Sequence, residues 1–374
     1  MAGIYLHIPF CKQACTYCNF HFSTTLVAKD QMVLALGREL ELRRDFLKGE
    51  RIDSIYLGGG TPSLLGASEL NFIFEEIVRL FEVSPDAEIT LEANPDDLSA
   101  QYLDQLRDTQ INRLSVGIQS FFEEDLRAMN RAHNSAEARE CLDRIRVRGF
   151  HNFSIDLIYG MPTLNQERWE SNLAELNRYE VPHVSCYALT VEPGTALHHQ
   201  IAKGEVTMVR DEKMVAHFKT LVDFAQANGL QHYEISNLAK PKKLAVHNRN
   251  YWFGATYLGI GPSAHSFDGM HRSWNVAHNH QYLKSIDEGL PFHESETLSD
   301  RDQYNEYVLT RLRTMWGCSV NDVNKWGAAV CRHFYELIQP FVKSGHVLQK
   351  GEIYQLTTEG MLIADHISKE LFLT

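Results

Sequence analysis

The sequence predicts an α/β fold: a TIM-like partial (β/α)6 barrel followed by a small helical domain. Apolar, β-rich runs alternate with amphipathic helical stretches from the start of the chain to about residue 230. Six strand and helix units in series imply a parallel sheet with right-handed crossovers. From residue 298 onward the pattern changes to helix, helix, hairpin and helix. In barrels of this kind, the side chains that carry chemistry lie at the C-terminal ends of the strands.

The same alternation assigns the elements in order. The barrel strands are predicted at 4–9, 52–57, 88–93, 113–118, 153–159 and 183–190. The helices around them are predicted at 31–47, 69–81, 136–148, 167–179 and 209–228. The C-terminal helices are predicted at 301–315, 328–342 and 359–372. A hairpin with strands at 346–350 and 353–357 precedes the last helix, which Thr358 is expected to cap. We therefore expect a core barrel over 1–230, a linking region over 231–297 and a C-terminal domain over 298–374.

Composition limits the class of protein. The chain has 374 residues, a hydrophobic fraction of 44% and a formal net charge of −12. This charge argues against a nucleic-acid surface, which needs clustered Lys and Arg. No apolar stretch is long enough for a membrane span, and no secretory signal is recognisable. Seven cysteines, a sparse and odd number, do not suggest a disulfide framework. We expect a cytoplasmic protein that binds no nucleic acid.

Three cysteines follow the first strand with the spacing C-x3-C-x2-C, namely Cys11, Cys15 and Cys18. Three thiolates on one short loop can each bind one iron of a [4Fe–4S] cluster, which leaves the fourth iron without a protein ligand. A metal site with a free coordination position is typical of catalysis rather than of a structural role. The expected occupant is S-adenosylmethionine (SAM), a radical-generating cofactor. The alternative is a zinc site completed by His21, although zinc ligands usually come as two separated pairs.

The run from Tyr5 to Phe20 resembles the radical SAM superfamily, and Tyr-Leu-His-Ile-Pro-Phe-Cys resembles its coproporphyrinogen dehydrogenase and HemW branch. The oxidase members of that branch carry a further cysteine two residues after the third, where this chain has Phe20. The chain also begins only four residues before Tyr5. Both departures favour the HemW-type haem chaperones. The resemblance covers essentially the whole chain and implies a winged-helix-like C-terminal domain.

A glycine run, Gly58-Gly59-Gly60-Thr61-Pro62, follows the second predicted strand. A backbone without Cβ atoms can lie against a ligand, although a glycine run at a strand end is more often only a tight turn. The run resembles the GGGTP motif with which the family holds the methionine part of SAM. The resemblance therefore assigns this contact to Gly59, Gly60 and Thr61.

Polar residues at the ends of later strands resemble further family motifs. Glu92 and Gln119 close the third and fourth predicted strands. Any one of these residues is more simply explained by an ion pair, but together they match the family residue by residue. The resemblance implies that six residues contact the cofactors: Tyr5, Tyr17, Glu92, Gln119, Arg131 and Asp156.

The segment Gly259-Ile-Gly261-Pro-Ser-Ala264 superficially matches the dinucleotide fingerprint GxGxxA. It lies late in the chain and no βαβ unit follows it, so the fingerprint lacks its structural context. The segment resembles the family loop that approaches the adenosyl group, which implies a cofactor contact at Ala264.

The hexapeptide His247-Asn-Arg-Asn-Tyr251-Trp252 resembles the HNxxYW motif of HemW-type proteins, which the oxidase members lack. Histidine is the usual proximal ligand of haem iron, and tyrosine and tryptophan supply flat apolar faces for a porphyrin. Taken alone, the segment is typical of an aromatic strand end. Seven histidines over 232–293 add a weak clustering signal. Four further cysteines have no ligand-like spacing and are expected in the core: Cys141, Cys186, Cys318 and Cys331.

Two functions of different class follow from these features. In the first, the protein is a haem chaperone that passes haem to apo-haemoproteins, with the cluster and SAM governing the transfer. In the second, it is an enzyme that cleaves SAM reductively and decarboxylates the propionates of coproporphyrinogen III. Phe20 and the hexapeptide favour the first. The resemblance implies haem, an electron donor and apo-haemoprotein recipients, including membrane-bound ones, as partners.

Overall fold

The computed structural model describes residues 2–374, and its centre is a twelve-stranded sheet. Six consecutive parallel strands form the middle of this sheet in chain order, as predicted. They are β1 (Ala2–Ile8), β2 (Ile52–Gly59), β3 (Val83–Ala93), β4 (Arg113–Gln119), β5 (Phe153–Tyr159) and β6 (His183–Ala188). Every residue of β4 is buried, and β1 is buried at all but one position. The buried positions include polar side chains as well as apolar ones, such as Arg113 and Ser115 on β4.

Helices connect these strands and cover the sheet. They are α1 (Lys29–Leu42), α2 (Ala67–Leu80), α3 (Ala100–Leu106), α4 (Glu123–Ala128), α5 (Ser135–Val147) and α6 (Gln166–Arg178). The four longer helices were predicted within a few residues, except that α1 ends at Leu42 rather than at residue 47. A capping box of Asn134 and Glu137 fixes the start of α5. Helices α3 and α4 have seven and six residues, too few to show a helical period.

The segment predicted as a linking region extends the same sheet at both edges. Its elements, after α7 (Ala196–Ala202) and α8 (Asp211–Ala227), are β7 (Gln231–Glu234), β8 (Asn237–Ala239), α9 (Val246–Trp252), β9 (Thr256–Ile260), β10 (His265–Phe267), β11 (His271–Asn275), α10 (Asn279–Glu288) and β12 (His293–Thr297). Strand β9 pairs in parallel with β1 on the side away from β2, and β8 pairs antiparallel with β6. These strands belong to the same sheet as the six barrel strands. The domain boundaries at residues 230 and 297 stay a prediction.

The C-terminal part has its own three-stranded sheet and its own hydrophobic core. Its elements are α11 (Asp300–Leu312), β13 (Cys318–Ser319), α12 (Val320–Val323), α13 (Ala328–Lys343), β14 (Val347–Lys350), β15 (Ile353–Leu356), α14 (Thr358–Met361) and α15 (Ala364–Leu371). The predicted hairpin forms from β14 and β15. The predicted cap at Thr358 is wrong, because the Thr357 hydroxyl accepts the hydrogen bond from the Gly360 amide. The last helix is also interrupted between α14 and α15.

The four cysteines outside the N-terminal loop lie in or against the two cores. Cys141, Cys186 and Cys318 are buried as predicted, whereas Cys331 is only half-buried and packs at the edge of the C-terminal core. Within residues 2–374, no helix is both long and apolar enough to cross a membrane.

Candidate metal centre and ligand cleft

The three predicted cluster ligands lie on one loop between β1 and α1. Cys11, Cys15 and Cys18 are all half-buried, and their thiols are free of disulfides. Backbone hydrogen bonds fix the start of the loop: the Cys11 amide donates to the Ser23 carbonyl at 3.0 Å, and the Thr61 amide donates to the Phe10 carbonyl at 2.6 Å. The cysteine loop is therefore held against the end of β2.

Polar groups surround the thiols. The Arg131 guanidinium donates to Cys15 Sγ at 3.2 Å, and the Thr61 side chain is hydrogen-bonded to Cys11. Burial raises the pKa of Cys11 to about 11 and also raises the pKa of Cys18. A nearby metal cation removes the proton from such a thiol, so the three cysteines suit an iron cluster that binds them as thiolates.

The alternative of a single zinc ion does not fit this loop. Zinc needs ligands that converge on one point, whereas a [4Fe–4S] cluster takes each thiolate on a different iron. Among residues 2–374, no three His, Cys, Asp or Glu side chains converge in that way. The His21 ring, which would complete a zinc site, donates from Nε2 to Asn279 Oδ1 at 2.7 Å.

The glycine run packs against the chain that enters the cysteine loop. A Cβ atom on Gly59 would lie 2.4 Å from the His7 ring, and one on Gly60 would lie 2.5 Å from the Phe10 carbonyl oxygen. The Gly60 amide donates to the Ile8 carbonyl at 3.0 Å. The missing side chain at Gly59 thus makes room for the His7 ring, and the one at Gly60 makes room for backbone. Contact between the run and SAM stays a prediction.

Replacing Gly60 by alanine is expected to disturb the cluster loop. The added methyl group would meet backbone atoms that cannot rotate away, and overpacking of this kind costs about 1–3 kcal/mol. We expect a lower denaturation midpoint and less iron bound after anaerobic reconstitution. The matched control is Gly66→Ala, where the nearest atom would lie 3.7 Å away at an ordinary φ of −77°. Equal stability and iron content in the two variants would contradict this account.

Two half-buried carboxylates, Glu92 and Asp156, line an interior cavity of about 220 Å³ inside the barrel. Glu92 on β3 accepts hydrogen bonds from the Tyr56 hydroxyl at 2.6 Å and from the Gly59 amide at 3.1 Å. Burial raises the pKa of Glu92 to about 7, and repulsion from Asp156 adds to the shift. Burial likewise raises the pKa of Asp156 on β5 to about 6. Both acids therefore favour a cationic ligand, and Tyr5 lines the same cavity.

Gln119 and Arg131 form a second group beside the cysteine loop. Gln119 ends β4 with a φ of +65°, a conformation that side chains other than glycine rarely adopt and that often marks a functional site. The Arg131 Nη2 group donates to Asn94 Oδ1 at 2.6 Å and to the Gly117 carbonyl at 2.8 Å. Its Nε is buried without a hydrogen-bond partner among residues 2–374. Tyr17 lies in the same group, and burial raises its pKa.

The hexapeptide is a helix, α9, and not the end of a strand. Its first two amides, those of Val246 and His247, donate to Glu88 Oε1 at 2.7 and 3.1 Å. The buried His247 ring is hydrogen-bonded through Nδ1 to Ser54 at 2.8 Å and through Nε2 to the Tyr251 hydroxyl at 2.9 Å. Burial lowers its pKa to about 3. Neither ring nitrogen is open to an iron atom in this arrangement, so the geometry does not support the prediction that His247 ligates haem.

A large cleft of about 1120 Å³ lies between the barrel mouth and the C-terminal part. Its walls are rich in aromatic side chains: Tyr5, Phe20, Tyr251, Trp252, Phe253, Tyr257, Phe267, Tyr307 and Trp326. Phe20, two residues after Cys18, is 66% exposed, so the cleft reaches the cysteine loop. The predicted contact Ala264 is buried between two cleft residues, Ser263 and His265.

Comparison with known proteins assigns the chain to a family. The radical SAM superfamily is matched by residues 5–176. "Heme chaperone HemW" of Mycobacterium tuberculosis (strain ATCC 25618 / H37Rv) is 34% identical over 375 residues, covering 99% of this chain and 94% of the relative. The chain belongs to the HemW family of radical SAM proteins. The HemW protein of Bacillus subtilis (strain 168) is 31% identical, with 98% of each chain covered.

A solved structure shows the same fold over the whole chain. Coproporphyrinogen III oxidase (HemN) from Escherichia coli matches with a TM-score of 0.85 at 24% sequence identity, covering 99% of this chain and 90% of that one. Membership of the radical SAM superfamily implies a [4Fe–4S] cluster and SAM as cofactors. The cysteine loop and the two raised-pKa carboxylates are chemically suited to these two groups.

Several residues that build the site carry little signal in the sequence. Tyr56 on β2 bonds Glu92 and stacks on the His247 ring at 5.2 Å, but it is one of fifteen tyrosines. Asn94, which accepts from Arg131, could have been found because it lies two residues after Glu92 in the same motif.

Glu39 is the most highly connected site residue that the sequence analysis did not identify. It is fully buried on α1 and accepts from the Gly261 amide at 2.7 Å, from Asn275 at 2.7 Å and from the Tyr282 hydroxyl at 2.5 Å. These bonds tie the loop before Ala264 to the helix that follows the cysteine loop. The only available signal was an acid in the buried stripe of a predicted helix.

Proposed function

We propose that the protein is a haem chaperone, which binds haem and delivers it to apo-haemoproteins, with the cluster and SAM serving this transfer. The observation that carries the proposal is full-length similarity to HemW proteins, whose name describes haem chaperones. The cleft of about 1120 Å³, with its aromatic walls, supports it. Aromatic faces suit a flat porphyrin. Cluster thiols require a reducing compartment, which favours the cytoplasm.

Named residues of the barrel are assigned to binding of the cluster and of SAM. We propose that Cys11, Cys15 and Cys18 bind three irons of the cluster, while Arg131 stabilises the charge on Cys15. The cluster, when bound, supplies electrons one at a time. Glu92 and Asp156 would bind the cationic part of SAM, and Gln119, Tyr17 and Ala264 would lie around it.

Affinity for SAM is expected to rise between pH 6 and pH 8. The pKa of Glu92 is raised to about 7 in the ligand-free protein, so cation binding at lower pH must first remove a proton. Glu92→Gln should weaken binding about tenfold to hundredfold and flatten this pH dependence. Calorimetric titration at several pH values measures both effects. Glu175→Gln, which removes an acid paired with Arg139 outside the cavity, should change neither. Binding that is independent of pH in the unmodified protein would contradict this role for Glu92.

The chaperone proposal is tested by two assays run in parallel on anaerobically reconstituted protein. Haem titration should show saturable binding. Incubation of coproporphyrinogen III with SAM and a reductant should give negligible protoporphyrinogen IX, because Phe20 stands where the oxidases resembled by this chain have a cysteine. Efficient conversion without haem binding would overturn the proposal. The structural likeness to HemN shows the fold alone and does not favour that outcome.

A further inference from the structure

Three histidines line the cleft, and one of them has an unengaged ring. The His7 ring is hydrogen-bonded to the His21 carbonyl at 2.8 Å and to the Tyr5 hydroxyl at 3.1 Å, and the His21 ring bonds Asn279. His265 lines the same cleft from β10 and is exposed. Within residues 2–374 its ring nitrogens form no hydrogen bond, and its ring faces Trp274 at 6.3 Å. It is therefore available to a ligand without breaking any contact.

The strand pairing explains why His265 faces the cleft. Strands β10 and β11 are antiparallel, with His265 opposite Trp274 and Phe267 opposite Arg272. The intervening residue of β10, Ser266, is buried on the other face, where it bonds Arg43. Because side chains alternate between the faces of a strand, His265 and Phe267 share the cleft side.

The opposite wall carries a cation, Arg311, whose charge interacts with Asp322 only beyond salt-bridge distance. Arg311 on α11 lies over the Phe253 ring at 4.2 Å, and its Nε and Nη1 atoms are buried without a hydrogen-bond partner among the described residues. No carboxylate of residues 2–374 forms an ion pair with it within 4.0 Å. The other two cations in the cleft are already paired, Arg272 with Glu306 and Lys325 with Asp322. Buried guanidinium donors without partners are costly, so a carboxylate ligand would stabilise Arg311.

We propose that haem occupies this cleft with the His265 imidazole ligating its iron and the Arg311 guanidinium binding a propionate carboxylate. This inference rests on the proposed function and names the site at which it is performed. Haem combines the three chemistries that the cleft presents: an iron that takes imidazole, a flat apolar ring and carboxylates at one edge. Partial desolvation by the cleft wall and the charge of Arg272 lower the pKa of His265, which favours the neutral, ligating form of its ring.

The iron ligand is tested by titrating ferric haem into the full-length protein and two variants. His265→Gly should shift the Soret band and weaken haem binding about tenfold or more, and added imidazole should restore the original band. The control is His280→Ala, an exposed histidine outside the cleft, which should behave like the unmodified protein. An unchanged band and affinity in His265→Gly would overturn the assignment while leaving the chaperone function standing. Failure of the unmodified protein to bind haem would overturn both.

The propionate contact is tested by changing the ligand as well as the residue. Arg311→Gln should weaken binding of haem about tenfold but leave binding of haem dimethyl ester unchanged, because the ester has no carboxylate charge. Arg301→Gln, at an exposed position on the same helix, is the matched control. Equal losses for haem and its ester, or no loss for either, would overturn the role of Arg311.

Discussion

Replacing Cys15 by alanine is expected to abolish a stable [4Fe–4S] cluster. In the proposed site each of the three loop cysteines supplies one thiolate, so the loss of Cys15 leaves one iron without its protein ligand. Anaerobic reconstitution of the unmodified protein should give about four iron and about four sulfide per chain. In Cys15→Ala both should fall to a small fraction of that content, and the visible absorbance of the cluster should be lost.

The same experiment contains its control. Cys331→Ala removes a half-buried thiol at the edge of the C-terminal core and should leave the iron and sulfide contents unchanged. A full cluster in Cys15→Ala would show that the loop does not bind it in the proposed way. One zinc and no sulfide in the unmodified protein would show that the loop binds zinc and not a [4Fe–4S] cluster.

The second large effect is expected at His247, and it is an effect on folding. The ring is buried, stacks on Tyr56 and is hydrogen-bonded to Ser54 and Tyr251. His247→Ala leaves a cavity and two hydroxyl groups without their partner, which should cost about 2–4 kcal/mol. Urea denaturation followed by circular dichroism should show a clearly lower midpoint. The folded fraction should keep the Soret band of the unmodified protein when haem is added.

A control variant and a double variant test the same prediction further. His280→Ala, at an exposed position, should leave the urea midpoint unchanged. Combining His247→Ala with Ser54→Ala should cost less than the sum of the two single changes, because the two side chains share a hydrogen bond. An unchanged midpoint with a lost Soret band would instead make His247 the haem ligand.

The barrel strands could be predicted because apolar residues recur along them. In β4 the apolar residues Leu114, Val116 and Ile118 stand at every second position, and such a pattern is visible without a structure. The strands at the edges of the sheet show no such pattern in the sequence. Strands β8 and β10 have three residues each, and all five residues of β12 are exposed. Their pairing depends on contacts with distant strands, which a local pattern does not contain.

The helical form of the hexapeptide could not be predicted either, because it also depends on a residue distant in the sequence. The first amides of α9 are capped by Glu88, about 160 positions earlier in the chain, so the usual local capping signal is absent. Motif resemblance identified the hexapeptide but could not show which of its side chains are buried. His265 was one of seven histidines in its region, and only the structure separates it from His247 by the hydrogen bonds of the two rings.

The chaperone function is tested by haem transfer from the reconstituted, haem-loaded protein to a b-type apo-cytochrome, measured as the Soret band of the acceptor. We expect transfer by direct contact, so the observed rate should rise with acceptor concentration. A rate that stays constant as acceptor increases would mean that haem simply dissociates and is captured, and it would contradict the chaperone function.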